Sequence, residues 1–330
     1  MATANLRPNS EPEHLAWKYW QSRGDWPGPR SYVLARGDEI LAHAAIIPGA
    51  CLSAGSSDRP QRVRTIHVID WAASPKASGA GVSLMKHIGR TTDALLAVGG
   101  SAQTLALLPH LGFQAVGVAT CYVRPLHPIR ILAPSTLPTS RVLPRLLRSL
   151  FWQLKAPAVA TDGWNVRRAE ASELSRLTSL FPTPSSGMQV FERSEAMFRY
   201  ALTCPIAPMD LYLMERAGEV RGYFLLSYAL RQARLADLWM SSGDPEDWRA
   251  LLECAAIQAK RHPLAAELAA WGSDAELSLR LQECGFHARG ELPVQMLTPH
   301  YPHLKHTQVR VQMLDNDAAY RHCGRNEFWC

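Results

Sequence analysis

The sequence lacks any run of about 18 apolar residues, which is the length that a helix needs to cross a membrane. Its first residues, Met-Ala-Thr-Ala-Asn-Leu-Arg-Pro, also lack the apolar core of a signal peptide. Apolar residues make up 47% of the chain and charged residues 19%, as is typical of globular proteins. We therefore expect no membrane span, a cytoplasmic location and, at 330 residues, enough chain for two domains.

Paired cysteines are also absent. The seven cysteines are dispersed and none forms a Cys-x-x-Cys pair, so we expect reduced thiols packed as small apolar side chains. His300, His303, His306 and Cys323 lie close together in the sequence, but they do not have the ligand spacing of a structural zinc site. We therefore expect no metal.

Strong charge of one sign is absent as well. The net charge is +6 and the isoelectric point is near 9.0. This mild positive excess suits an anionic cofactor or an anionic surface. No aromatic and basic motif typical of nucleic-acid binding appears, so we expect no nucleic-acid partner.

Residues 65–81 are the most informative stretch. They begin as an apolar, β-branched run, which predicts a strand, and end in a turn with Gly79 and Gly81 before an apolar helix at residues 82–89. The first turn of a helix has amides without partners and carries partial positive charge, so such a turn can hold an anion. It is not a P-loop and lacks the third glycine of a dinucleotide fingerprint. A tight turn without a ligand explains the same residues equally well.

The elements that follow this turn are a second signal. The pattern predicts a strand at 94–99, a helix at 101–111 and a strand at 114–122. With the hairpin that precedes the turn, this order resembles the acyl-CoA-binding half of the GNAT acyltransferase superfamily over residues 13–125. The family's loop is Arg/Gln-x-x-Gly-x-Gly/Ala, and here it is Lys76-Ala-Ser-Gly-Ala-Gly, with Lys in place of Arg or Gln. Trp17-Lys18-Tyr19 also resembles a recurring start of tandem GNAT proteins linked to cell-surface assembly.

The resemblance implies an acyl-CoA co-substrate, acetyl-CoA or another, and no metal. The implied binding residues are Ala72, Ala73, Lys76, Ala77, Ser78, Gly79, Ala80, Gly81 and Val82. Transfer to an amine needs a base and donors for the oxyanion. We predict Asp70 as the base, because alternation along the strand puts His67 and Asp70 on opposite faces and Asp70 is nearer the loop. A local polar pairing of Asp70 is an equal alternative.

The family's usual acid is missing from this sequence. A Tyr often stands four residues before the Gly-Phe pair in this family and protonates the leaving thiolate, and here that residue is Leu108. His110 and Tyr122 are nearby substitutes, and solvent or the acceptor are others. The missing acid places the usual protonation step, and catalysis itself, in question.

The second half repeats the order of elements, with Gly285-Phe286 at the point equivalent to Gly112-Phe113. It has no Gly-x-Gly turn, and Asp244, Glu246 and Asp247 would repel a pyrophosphate there. We predict an α/β (α+β) fold of two tandem GNAT-like domains, each a mixed, mostly antiparallel sheet flanked by helices. The predicted parts are an acyl-CoA-binding domain at 1–125, a proline-rich linker at 126–164, a second domain without the pyrophosphate loop at 165–300 and a tail at 301–330.

The linker contains an amphipathic helix at residues 141–155. Six large apolar side chains share one face of it, and Arg141, Arg145, Arg148 and Lys155 lie off that face. The helix either packs its apolar face on a neighbouring domain or touches an anionic membrane surface. We favour packing on a domain.

Three functions are compatible with this sequence. The first is an acyl-CoA-dependent N-acyltransferase, with acetyl transfer in a ternary complex to a small amine or amino sugar. The second is a Fem-type aminoacyl transferase, and the third is a non-catalytic CoA-binding or scaffold protein. The intact loop favours the first and the missing acid favours the third. Trp17, Tyr19, Trp20 and Trp239 either line an acceptor cleft between the domains or belong to the core.

Overall fold

The computed structural model describes residues 11–55, 60–132, 139–185 and 187–322. The strands are β1 (Ser31–Arg36), β2 (Glu39–Ser53), β3 (Gln61–Ala73), β4 (Ala94–Val98), β5 (Gln114–Pro125), β6 (Asn165–Arg168), β7 (Met188–Phe191), β8 (Met209–Arg216), β9 (Glu219–Ala229), β10 (Gln232–Met240), β11 (Glu267–Gly272), β12 (His287–Leu297) and β13 (Gln308–Arg310). The helices are α1 (Pro12–Leu15), α2 (Ala80–Gly89), α3 (Ala102–Leu107), α4 (Thr139–Leu154), α5 (Glu195–Ala201), α6 (Pro245–Arg261) and α7 (Ala275–Glu283).

The described strands form one continuous mixed sheet. Its order is β13-β7-β2-β3-β4-β12-β5-β11-β10-β9-β8-β6, and β1 pairs with β2 beside this path. Most neighbouring pairs are antiparallel, whereas β3 with β4, β10 with β11, and β13 with β7 are parallel. The mixed, mostly antiparallel sheet agrees with the predicted fold class.

The two halves of the chain exchange their last long strands. β12 lies between β4 and β5, and β5 lies between β12 and β11. Each strand therefore completes the sheet of the other half. Sequence patterns do not encode this exchange, because partner choice depends on long-range packing. The predicted boundaries at residues 125, 164 and 300 stay predictions.

Helix α2 and the N-terminal helix cover opposite faces of β2 and β3. On one face Leu84, Met85 and Ile88 of α2 pack on Ile46 and Ile66. On the other face the N-terminal turns of helix pack through Tyr19 on Ala45 and Ile69. Burying one such side chain contributes about 1.5–3 kcal/mol, so both helices are held firmly on the sheet.

The C-terminal segment of residues 308–320 returns across the second half and reaches the first. Its strand β13 pairs with β7 at one edge of the sheet. Two buried ion pairs fix it, Arg310 to Asp274 at 2.8 Å and Arg193 to Asp315 at 2.7 Å. The segment therefore links both halves. Strand β7 is not among the predicted elements.

Helix α4 presents its apolar face to solvent. Leu143, Leu147, Phe151 and Leu154 are 60%, 58%, 52% and 86% exposed. The opposite face packs on the protein, and there the Trp152 ring stacks on His287 with 3.9 Å between ring centroids. The favoured prediction that the apolar face packs on a neighbouring domain is therefore wrong for these four residues.

Candidate functional site

Strands β3 and β4 separate at one end and leave a wedge between them. They pair in parallel from Thr65 with Ala94 to His67 with Leu96. Beyond that pair, no described strand pairs with this edge of β3, although β3 continues to Ala73. We call this gap the β3–β4 wedge. This edge of β3 is therefore left without a strand partner, and an extended, amide-containing ligand could pair with it.

The first turn of α2 lies at the end of this wedge. The amides of Ala77 and Ala80 are bonded to the carbonyls of Ser74 and Ala77 at 3.0 and 3.1 Å. No hydrogen-bond partner among the described residues is recorded for the amides of Ser78, Gly79, Gly81 and Val82. The first turn also contains no acidic residue and no side-chain cap. Four amides and the positive end of the helix thus form a place for an anion such as a phosphate.

The two glycines of the turn have different physical roles. Gly79 has φ of +80° with nothing within 4 Å of an added Cβ, so its backbone conformation requires glycine and its surroundings are open. At Gly81 an added Cβ would lie 3.2 Å from the Trp71 ring and from Ala73. The Trp71 indole nitrogen also donates to the Gly81 carbonyl at 3.1 Å. Gly81 therefore lets α2 pack closely on β3. Lys76 is exposed beside the turn.

A β-bulge interrupts β3 at the wedge. The register with β2 shifts between His43 and Ala45, and Asp70 has φ of +49°. The Asp70 carboxylate lies 2.5 Å from the Lys18 ammonium and accepts a hydrogen bond from Tyr19 at 2.9 Å. His67 contacts the C-terminal segment on the same face as Lys18. The prediction that His67 and Asp70 point to opposite faces is wrong, because the bulge breaks the alternation.

Asp70 belongs to a buried charged cluster. Burial would raise the pKa of Asp70, but the Lys18 ammonium and the hydrogen bonds from Lys18 and Tyr19 hold that pKa below its ordinary value. Lys18 also lies 3.4 Å from Asp317 of the C-terminal segment. In the sequence, Lys18 stands out only as part of Trp17-Lys18-Tyr19, and no pattern there predicts its pairing with Asp70 and Asp317.

His67 is fully engaged at the point where β3 and β4 separate. Its Nδ1 lies 2.5 Å from the Asp315 carbonyl and its Nε2 lies 3.2 Å from the Asn316 amide nitrogen. Burial lowers the pKa of His67, which favours the neutral ring. A neutral ring with Nδ1–H donating to the carbonyl satisfies both contacts.

A cavity of about 40 Å³ opens on this face of the sheet. His67 and Lys18 line it together with Trp17, Tyr200 and Tyr320. The Trp17 ring stacks on Tyr200 at 4.6 Å, and Tyr320 meets it edge-on at 4.9 Å. The cavity therefore combines aromatic walls with a charged end. Trp20 is 69% exposed and Trp239 packs on Trp248, so of the four aromatic residues considered only Trp17 lines it.

His110 and Tyr122, the two candidate substitutes for the missing acid, do not lie at the first turn of α2. His110 is exposed on the turn after α3. Tyr122 is buried in the core of the second half, where its hydroxyl accepts a hydrogen bond from Gln282 at 3.0 Å. The strand exchange explains this, because β5 lies beside β11. Leu108 is buried in the core under α2.

The second half has an equivalent wedge that the protein itself fills. β10 and β11 pair from Gln232 with Glu267 to Arg234 with Ala269 and then separate. Beyond that point Gln312 accepts from the Leu238 amide at 2.8 Å and donates to the Leu238 carbonyl at 3.0 Å. The Gln312 side-chain amide of the C-terminal segment thus fills this wedge.

The helix start in the second half is also closed to anions. Asp244 caps α6 by accepting from the Glu246 amide at 2.9 Å, and Pro245 lacks an amide hydrogen. Glu246 and Asp247 add negative charge in the first turn. Asp244, Glu246 and Asp247 therefore lie at the start of α6, as the sequence analysis predicts.

The structure resembles solved acyltransferases. A GCN5-related N-acetyltransferase from Kribbella flavida aligns over 81% of this chain and 59% of its own, with 15% identity and a TM-score of 0.52. One from Anabaena variabilis aligns over 82% and 63%, with 15% identity and a TM-score of 0.51. Saccharomyces cerevisiae N-myristoyltransferase with bound myristoyl-CoA aligns over 87% and 69%, with 13% identity and a TM-score of 0.56. No family model and no curated protein matches the sequence.

These likenesses establish the fold. The chain adopts the GNAT fold, as its loop and order of elements predict. It spans about six-tenths of the length of the two acetyltransferase chains.

The described residues contain neither a helix suited to span a membrane nor a cluster suited to hold a metal ion. None of their helices is both long and apolar enough to span a bilayer. They contain no group of three or more His, Cys, Asp or Glu side chains placed to hold a metal ion. Cys323 and the His303 side chain, two of the four residues considered as zinc ligands, lie outside the described part.

Proposed function

We propose that this protein is an acyl-CoA-dependent N-acyltransferase whose donor site is the β3–β4 wedge with the first turn of α2. The proposed reaction is acetyl transfer from acetyl-CoA to a small amine or amino sugar. One observation carries the proposal: of two equivalent wedges, the first is open and ends on unpartnered amides, whereas Gln312 and Asp244 close the second. We therefore expect one acyl-CoA donor site per chain.

The binding roles follow from the geometry. The amides of Ser78, Gly79, Gly81 and Val82 would bind the pyrophosphate, and Lys76 would add positive charge. The edge of β3 toward Ala72 and Ala73 would pair with the amides of the pantetheine arm. The amine would approach from the aromatic cavity on the opposite face, so that donor and acceptor meet where β3 and β4 separate.

The structure supports a different role for Asp70 than the base first predicted. A base is most effective when its pKa is near the working pH, and the pKa of Asp70 is held below its ordinary value. We propose that Asp70 orients Lys18 and Tyr19 beside the cavity. The acceptor then enters as the free amine, its nitrogen loses one proton to solvent as the amide forms, and solvent protonates the thiolate that leaves.

Calorimetric titration with acetyl-CoA tests the donor site. Wild-type protein is expected to bind one acetyl-CoA per chain, and Gly79→Glu to abolish binding, because a carboxylate would then face the pyrophosphate. Gly218→Glu is the matched control, since Gly218 has φ of +82° against +80° for Gly79 and equally open surroundings. Equal loss in both variants would indicate general destabilisation, and the absence of acyl-CoA binding in wild type would refute the proposal.

A second candidate function is a CoA-binding protein without catalysis. It is favoured by Leu108, which is buried in the core where the family's acid would be. Binding of acetyl-CoA without acyl transfer to any of a panel of amines and amino sugars would support this second function.

A further inference from the structure

We propose that helix α4 is a membrane-docking element that lies flat on an anionic phospholipid surface. The helix carries an apolar stripe of four side chains that are between 52% and 86% exposed, namely Leu143, Leu147, Phe151 and Leu154. Their spacing puts them on one side of the helix. Large apolar side chains scattered singly on a surface need no explanation, but four in a row on one helix face do.

The charge around the stripe identifies its partner. Residues 139–155 contain the four basic residues Arg141, Arg145, Arg148 and Lys155 and no acidic residue. The Lys155 ammonium lies 4.4 Å from the centre of the Phe151 ring, so positive charge borders the stripe directly. A face that is apolar in the middle and basic at its border complements an anionic lipid surface, where acyl chains lie beneath negative headgroups.

The flank of α4 has the aromatic and basic composition of an interfacial anchor. The partly exposed Trp152 ring is fixed by His287 on one side and has Arg148 at 5.0 Å and the exposed Arg289 at 5.7 Å. Tryptophan and arginine both tolerate a position between water and acyl chains. Ile129, on the turn Pro128–Leu132 that α4 packs against, is 74% exposed and adds apolar surface nearby.

The packing of α4 determines how it would meet the membrane. Its opposite face is anchored, since Ser149 is fully buried and Gln153 donates to the Leu126 carbonyl at 3.0 Å. The helix is therefore presented by the folded protein rather than released from it. At 16 residues it lies on a bilayer and does not cross it.

Vesicle binding by the full chain tests this proposal. Wild-type protein is expected to co-sediment with phosphatidylcholine vesicles that contain phosphatidylglycerol, and to bind pure phosphatidylcholine at least about tenfold more weakly. Binding should weaken as salt is added, because the headgroup attraction is screened. Equal binding to both vesicle types, or none to the anionic ones, would overturn the proposal.

Two variants locate the contact. Leu147→Glu combined with Phe151→Glu is expected to reduce binding at least about tenfold, whereas Leu279→Glu, at a 47% exposed position of α7, should leave it unchanged. All three side chains are exposed, so circular dichroism should show intact folds. A different result would overturn the lipid proposal. If wild-type protein does not bind vesicles but self-associates, and the double variant abolishes that self-association, the stripe is an interface between copies of the chain.

Discussion

Gln312 is the residue whose substitution best tests how the second wedge is closed. Gln312→Met keeps the length of the side chain but removes both hydrogen bonds to Leu238. Gln312 is 3% exposed, so water has little access to the amide and carbonyl left behind. Each buried group that loses its partner costs about 1–3 kcal/mol, which gives an expected loss of about 2–6 kcal/mol in the free energy of unfolding.

Urea unfolding at neutral pH measures this loss. Gln295→Met is the matched control, because the Gln295 side-chain oxygen is buried without a hydrogen-bond partner in the described part of the chain. The control should be neutral or slightly stabilising. A loss below about 0.5 kcal/mol for Gln312→Met would refute the argument, since it would mean that these bonds do not hold the C-terminal segment in the wedge.

The remaining predictions concern protons. Burial lowers the pKa of His14 to about 4 and also lowers that of His67, so between about pH 6.5 and 4 the unfolded chain binds protons that the folded chain does not. The free energy of unfolding should therefore fall as pH falls through this range, by up to about 1.4 kcal/mol per pH unit for each histidine, and His67→Gln should reduce the slope. In a transfer assay Asp70→Asn should lower activity at every pH, whereas loss of a pH-dependent limb would restore Asp70 as the base.

The sequence predicts the elements well because each depends on local pattern. The helix at α2 follows from the spacing of Leu84, Met85 and Ile88, and the turn before it from Gly79 and Gly81. The strand predicted at residues 94–99 corresponds to β4, which spans Ala94–Val98. The GNAT fold follows from the order of these elements.

The pairing of distant residues is what the sequence could not predict. The strand exchange carries Tyr122 into the core of the second half, although the sequence places it within the predicted first domain. The bulge at Asp70 reverses the side of one carboxylate, and a strand pattern has no signal for one extra residue. Gln312 and Lys18 gain their roles from partners 74 and 299 residues away, which no local motif encodes.

The charged cluster beside the cavity joins the first half of the chain to the C-terminal segment. Lys18 links Asp70 of β3 to Asp317 of that segment, and His67 binds the same segment through two contacts. These groups are the partners of one another in ion pairs and hydrogen bonds. What they do is fix the C-terminal segment against β3 at the end of the wedge. The same segment fills the second wedge through Gln312, so one stretch of chain both lines the cavity and occupies that wedge.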